Sequence, residues 1–295
     1  MPRATRQAPF TGPMLSAFFC VMLLCAPAFA AGKGKFPGPS PIAQDLRKRG
    51  DLVPIEPSPA VLAGYFVADE AAPALVYGPV GDFTQWRICP TFWFIEAGEK
   101  AGCHQVMLHQ NLLLVPCLER DEVRLYDKTR GFAQAGALCF DKGTGPRHGV
   151  FNAAHTLLYL VSERSNELYV FAADGARFTL GQRLGVIGAG ASAAIRLSPD
   201  ERFLYVSTRD IPTRAQDVIT VFSLAGDVPV RIQQADSGGK HPRDFDLTAD
   251  GRWLVCLNRD SGGLAVFPVD TQTGLLGKAS GRTAAPKASG ILLEK

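Results

Sequence analysis

Arg147 and Glu163 lie 16 residues apart, and the same interval returns between Ala193 and Arg209 and between Arg243 and Arg259. His104 opens a fourth, shorter copy that ends at Leu118. These residue types can do chemistry together. A guanidinium grips a carboxylate or phosphate through two parallel hydrogen bonds. An imidazole, with an unperturbed pKa of ~6.5, can take a proton from water near neutral pH. A carboxylate can orient either group or move a proton. Four Arg with one Glu leave surplus positive charge, so a pocket built from them favours an anion. The bland alternative is structural: Glu163 bridges Arg147 and Arg209, and His104 caps a strand end. His148 and His241 are expected in packing or turn roles, with His148 also counted among substrate contacts. His109 and His155 are expected in solvated inter-strand turns.

The elements that carry these residues read as β-strands. Each copy holds an inner strand, a turn, and a second apolar strand: GPRHGVF with LLYLVS, AAIRLSPDERFLYVSTR, and RDFDLTADGRWLVCLNR. The weaker copy is HQVMLHQNLLLVPCL. A third apolar strand follows each, as VRLYD, ELYVF, VITVF and LAVF, and a fourth follows as GALCF, RFTLG and VRIQQ. Short runs rich in Val, Leu, Tyr and Phe between turn residues are the sheet signal. Four strands repeating every 46 to 50 residues are the signature of a propeller blade, which must stack on neighbours to bury both faces. The fold class is therefore all-β, a propeller of four-stranded blades; unrelated hairpins in a sandwich are the alternative. Equivalent positions then share one rim. Starts of inner strands and ends of second strands gather His104, Arg147, Glu163, Arg209, Arg243 and Arg259 there. Charge at a narrow, partly desolvated mouth is costly unless it is paired or used.

The chain has 295 residues, 46% hydrophobic, with a formal net charge of +3. That charge is too mild to imply nucleic acid, and no basic stripe with interleaved aromatics stands out. Arg3 and Arg6 precede the apolar run MLSAFFCVMLLCAPAFA, and Ala28-Phe29-Ala30 offers a small-residue cleavage site. Residues 1–30 are thus expected to be a secretory signal peptide, placing the protein in the periplasm or outside the cell with no membrane attachment after cleavage. Residues 31–100 are a divergent segment that can hold partial blades, with strand candidates AVLAGYFVA, ALVYGPV and PTFWFIEA; residues 101–295 hold the blades. ILL at 291–293 can close a terminal strand. Five cysteines remain after residue 30, an odd number. Cys103 and Cys117 can pair, because one opens an inner strand and the other closes its antiparallel neighbour. Cys256, inside WLVCLN, reads as a small core residue. No zinc spacing, haem-attachment motif, phosphate loop or nucleophile elbow is present in the sequence, so no cofactor and no metal are expected.

The segments CHQVML, VPCLERDEVRLYD, GPRHGVF, LVSERSNELYVF, SAAIRLSPDERFLYVSTR and GKHPRDFDLTADGRWLVCLNRDSGGLAVFPVDTQTG, spread over 101–280, resemble the seven-bladed β-propeller lactonases. That family includes 6-phosphogluconolactonase-type hydrolases and fungal carboxymuconate lactonising enzymes. The resemblance implies opening of a small anionic sugar-acid lactone at the channel mouth, without a metal. It implies catalytic roles for His104, Arg147, Glu163 and Arg209, and substrate contacts for Arg243, Arg259 and His148. The sequence departs from the family pattern in three places. Gly102 stands where a His is common, Ala194 where an acid is common, and residues 31–100 stand where about three further blades are usual. The departures leave a second expectation open: an exported propeller that binds a small anion or a protein partner without turnover.

Overall fold

A computed structural model describes strands at 63–67, 74–78 and 94–96, and residues 101–187, 190–209, 217–285, 290–291 and 293. The expected signal peptide, residues 1–30, lies outside the described residues. The three early strands, β1 (Ala63–Val67), β2 (Ala74–Gly78) and β3 (Phe94–Glu96), form one sheet. There β2 pairs antiparallel with β1 and parallel with β3, unlike the up-and-down sheets that follow.

Four four-stranded antiparallel sheets then run in chain order. Blade 1 is β4 (Met107–His109), β5 (Leu112–Cys117), β6 (Glu122–Asp127) and β7 (Ala133–Cys139). Blade 2 is β8 (Pro146–Phe151), β9 (Leu157–Ser162), β10 (Glu167–Asp174) and β11 (Arg177–Gly185). Blade 3 is β12 (Ala191–Leu197), β13 (Phe203–Arg209), β14 (Val218–Ser223) and β15 (Val230–Asp236). Blade 4 is β16 (Pro242–Leu247), β17 (Trp253–Asn258), β18 (Gly263–Pro268) and β19 (Gly281–Ala284).

Burial explains the strand sequences. The second strands β9, β13 and β17 are buried along nearly their whole length and turn polar only toward their ends. The outer strands β7, β11 and β15 are largely exposed and mostly polar or small. Between blades 1 and 2, Leu114 and Leu125 meet Leu158, Leu160 and Phe171. Between blades 2 and 3, Val161 and Leu168 meet Ile195, Leu204 and Phe222. Between blades 3 and 4, Tyr205 and Val221 meet Phe245, Leu254 and Phe267. Each fully buried aliphatic or aromatic side chain contributes about 1.5–3 kcal/mol, so the blades are held mainly by their faces. His109 belongs to this packing rather than to a solvated turn. It is fully buried, with its ring stacked on Phe151 and its Nε2 bonded to Gly175 O at 2.9 Å. His155 is exposed, as expected. The terminal segment is not a strand in the described residues. Ile291 and Leu293 pack on blade 4, and their N–H groups donate to the carboxylates of Asp244 and Asp246 rather than to a strand's carbonyls.

A repeated polar device leads from one blade to the next. The residue before each third strand reaches across to the run-in of the following inner strand. Asp121 accepts hydrogen bonds from Gly143 N at 2.8 Å and Gly145 N at 2.7 Å. Asn166 donates to Ile187 O at 3.0 Å and accepts from Ser192 Oγ at 2.6 Å. Asp217 accepts from His241 N at 2.9 Å. Asp121 and Asn166 adopt left-handed φ values of 53° and 55°, which Asp and Asn tolerate better than most residues. Asn166 is buried, and its loss strands two buried polar groups. Asn166→Ala is therefore expected to destabilise the protein by about 2–3 kcal/mol, read as a lower urea midpoint with an unchanged slope.

Candidate active site

The site residues are aimed by an irregularity shared by all four inner strands. In blade 2, Pro146 pairs with Ser162 and His148 with Val161, so Arg147 is an extra residue. In blade 4, Pro242 pairs with Asn258 and Asp244 with Leu257, so Arg243 is extra. In blade 3 the register shifts between Ser192 and Ile195, around Ala193 and Ala194. In blade 1, Cys103 bridges Cys117 and pairing resumes at Met107 opposite Leu114, which leaves residues 104–106 facing only Val115 and Pro116. A bulge bends its strand and redirects the extra side chain. Here it brings one inner-strand residue of each blade to the same rim.

At that rim Glu163 joins two blades. Its Oε2 accepts from Arg147 Nε at 2.8 Å and from Arg209 Nη2 at 2.6 Å. Arg147 is 2% exposed and Arg209 is 6% exposed, whereas the Glu163 side chain keeps 26% of its surface. Most of the arginine donors are committed. Arg147 Nη1 also donates to Ala193 O. Arg209 donates to Ala191 O at 3.3 Å and Ser192 O at 3.4 Å. Burial alone would raise the Glu163 pKa, but the charges of Arg147 and Arg209 outweigh it and hold the group down at about 2. Burial also lowers the pKa of Arg209, against the pull of Glu163.

His104 stands beside this pair. Its Nδ1 donates to Gly102 O at 2.8 Å. A carbonyl only accepts, so Nδ1 carries the proton and Nε2 presents a lone pair. Burial and then the Arg147 charge lower its pKa to about 3, opposed by Glu163. His104 is therefore neutral at pH 7. The strand that carries it is fastened to blade 2 by side chains. Gln105 donates to Gly149 O at 3.0 Å and accepts from Gly149 N at 2.6 Å. His148 Nε2 lies 3.1 Å from His104 O and 3.2 Å from Arg147 Nη1, between the two. His148 Nδ1 is buried with no partner among the described residues, and burial with the Arg147 charge drives its pKa well below the usual value.

Arg243 and Arg259 are more open. Arg243 is half-buried, and its charge acts on His104, Arg209 and His241. Arg259 has 37% of its side chain exposed and pairs with Asp260 at 2.8 Å. His241 links the outer arginines. It lies 3.4 Å from both Arg209 Nη1 and Arg259 Nη2, and 3.2 Å from Asp260 Oδ2. Burial and the charges of Arg209 and Arg259 lower its pKa to about 4. The sequence reading left His241 in a packing or turn role. Comparison of the run-ins Gly102-Cys103-His104, Gly145-Pro146-Arg147 and His241-Pro242-Arg243 singles it out. All three first residues adopt left-handed φ values, 63°, 62° and 62°, and only blade 4 places a side chain there.

Residues 95–293 match the family described as Lactonase, 7-bladed beta-propeller. The chain belongs to this β-propeller lactonase family. It is 33% identical over 192 residues to a 6-phosphogluconolactonase of Sodalis glossinidius, covering 59% of this chain and 55% of that protein. It is 30% identical over 178 residues to the corresponding protein of Serratia proteamaculans, covering 56% and 52%. The chain thus spans about half the length of these relatives. Among solved structures, a periplasmic gluconolactonase of Pseudomonas aeruginosa aligns with a TM-score of 0.59 and 26% identity, over 65% of this chain and 56% of that one. A putative 6-phosphogluconolactonase of Bacteroides fragilis aligns with a TM-score of 0.60 and 24% identity, over 65% and 58%, and supports the fold.

In this lactonase-family chain the rim offers the neutral His104 imidazole with its Nε2 lone pair, the ionised Glu163 carboxylate and four guanidiniums, with His241 and Asp260 beside the outer ones. Among the described residues no group of three His, Cys, Asp or Glu side chains could hold a metal ion. Such a rim can bind an anion and polarise a carbonyl. Its stability should depend on pH through Glu163. A carboxylate whose folded pKa lies below its unfolded value stabilises the fold above the unfolded pKa, and that stabilisation is lost as pH falls through the folded one. Glu163→Gln is expected to cost about 3 kcal/mol at pH 7, because two buried guanidiniums lose their counter-ion. The difference from wild type should shrink between pH 4.5 and about 2; urea midpoints measured across that range check it.

Proposed function

We propose that the protein hydrolyses a sugar-acid lactone of the 6-phosphogluconolactone kind, at the rim where blades 1 to 4 converge and without a metal. The observation that carries the reading is the His104–Glu163–Arg147–Arg209 grouping, with a neutral imidazole beside a net positive charge. The names of the relatives support the substrate class. The donor set supports the metal-free route, since guanidiniums rather than metal ligands dominate the rim.

In this reading His104 Nε2 takes a proton from water as its oxygen attacks the lactone carbonyl. The C–O ring bond then breaks, and the ring oxygen leaves as the hydroxyl of the open acid. A guanidinium here could grip the substrate's anion or stabilise charge on the lactone oxygen, and the burial and committed donors of Arg147 and Arg209 suit them to the second task. Arg147 and Arg209 act as fixed positive charges beside the developing oxyanion. Arg243 and Arg259, which are more open, hold the substrate's own anionic group, and His148 keeps the His104 strand in place. Preorganised groups that stabilise an oxyanion contribute ~3–4 kcal/mol each. A bound anion offsets the arginine field and raises the basicity of His104, so substrate prepares its own base. The exported location is part of the same proposal, supported by the signal-like N-terminus and by the periplasmic neighbour.

One observation favours a second reading, an anion-binding propeller without turnover: Ala194 stands in blade 3 where the family commonly places an acid. Purified protein separates the two. Lactone hydrolysis that falls by roughly 10²–10⁴ in His104→Ala supports the enzyme, while equal rates reject the role of His104. Calorimetric binding of 6-phosphogluconate with no lactone turnover supports the binder.

A pH profile tests the base further. kcat/KM reports the free protein's groups, and an unperturbed His would put the acid limb near pH 6.5. With His104 held at about 3, kcat/KM is expected to stay level from pH 7 to about 4, measured in short assays before acid unfolding. A limb at 6–7 that persists with a phosphate-free lactone would show His104 titrating as an ordinary imidazole rather than held at about 3.

A further inference from the structure

We propose that Cys103 and Cys117 form a cross-strand disulfide that staples the strand start from which His104 extends. The two residues face each other across an antiparallel bridge. His104 N donates to Pro116 O at 3.4 Å and Leu118 N donates to Gly102 O at 3.1 Å. Those two bonds flank the cysteines, which makes Cys103 and Cys117 a non-hydrogen-bonded pair. In such pairs the Cα atoms stand only about 4.5 Å apart and the side chains are close, within the span a disulfide bridges. The sulfurs are 4.0 Å apart and both residues are buried in the apolar cluster of Leu113, Val115 and Tyr126. No strand has to slide and no loop has to move for the bond to close. The other described cysteines sit elsewhere: Cys139 ends the outermost strand of blade 1, and Cys256 lies in the core between blades 3 and 4.

The pair is asymmetric. The hydrogen bond from Cys117, aided by the charges of Arg124 and Arg120, lowers the Cys103 thiol pKa against its burial. The same hydrogen bond and burial push Cys117 up. Exchange begins at one of the two as a thiolate, for instance Cys103. That thiolate displaces one thiol from a small-molecule disulfide of the oxidised-glutathione class and forms a mixed disulfide. Cys117 gives up its proton and attacks the Cys103 sulfur, releasing the second thiol. One S–S bond breaks and one forms. Two electrons pass to the oxidant, which leaves as two thiols. Because both sulfurs are buried in the finished fold, the exchange takes place while blade 1 is forming, in an oxidising compartment. The consequence is local. Blade 1 has the shortest inner strand, three residues, and the bond fixes its pairing one residue before the candidate base.

The proposal does not rest on the hydrolytic reading, because a peptide mass reports the bond and lactone turnover reports the site. The full chain is unfolded with reductant, refolded with reduced and oxidised glutathione, unfolded again in alkylating agent and digested with trypsin. Cys103 and Cys117 fall in one tryptic peptide, 101–120, since no Lys or Arg lies between Lys100 and Arg120. The expected product is that peptide lighter by two hydrogens and unalkylated, with Cys256 alkylated. A dialkylated peptide, or Cys103 or Cys117 linked to Cys89 or Cys139, overturns the proposal. As a second measurement, reductant should lower the wild-type Tm by roughly 5–10 °C and leave a Cys103→Ser/Cys117→Ser variant unmoved. Equal sensitivity in both also overturns it.

Discussion

A single carboxylate oxygen, Glu163 Oε2, holds two guanidiniums from two different strands and two different blades. Two nearly buried arginines repel one another and pay heavily for lost hydration. The structure tolerates them because Glu163 lies between them and because backbone carbonyls at Ala191, Ser192 and Ala193 take further donors. The arrangement therefore fixes three things together. It sets the relative position of blades 2 and 3 at the rim. It leaves the rim net positive. It also adds the Arg147 charge to the burial that keeps His104 neutral, against the opposing pull of Glu163.

That ion pair is possible because the sheets break their own pattern at one level. An ideal strand would send Arg147 and His148 to opposite faces and leave neither pointing along the rim. The extra residue in each inner strand redirects the side chain at that point, and the Asp121, Asn166 and Asp217 contacts fix the chain just before the bulge. Strong, regular pairing in the middle strands carries the stability. The irregular strand starts carry the polar rim. This division lets a rigid β scaffold place polar groups within 3 Å of one another without loops.

Much of this organisation was legible in the sequence, because the repeat is a property of spacing. The 16-residue anchors located the strands of three blades and the residues that share a rim. The bulges were not legible, since one extra residue has no meaning until its partner strand is known. The burial of His109 was missed for a related reason. Its position before a two-residue turn suggests exposure, yet Phe151 and Phe178 of the next blade cover it. The ranking of the arginines also escaped. Arg147, Arg209, Arg243 and Arg259 look alike as letters, and only burial separates the two fixed charges from the two open ones. His241 could have been found, because two glycines occupy its place in sister blades.

The groups at the rim differ in what holds them. Arg147, Glu163 and Arg209 sit at the ends of strands of six or seven residues and are locked by charge. His104 has no such support. Its strand is not paired from 104 to 106 by a regular ladder, and its position depends on Gln105, His148 and the Cys103–Cys117 bridge. In the proposed mechanism anion binding draws on blades 2 to 4, whereas turnover draws on blade 1 as well. Losses at blade 1 should therefore abolish catalysis before they abolish binding. A propeller that ceases to be an enzyme by this route would keep its affinity for the anion, because the positive field is generated by the better-anchored part of the fold.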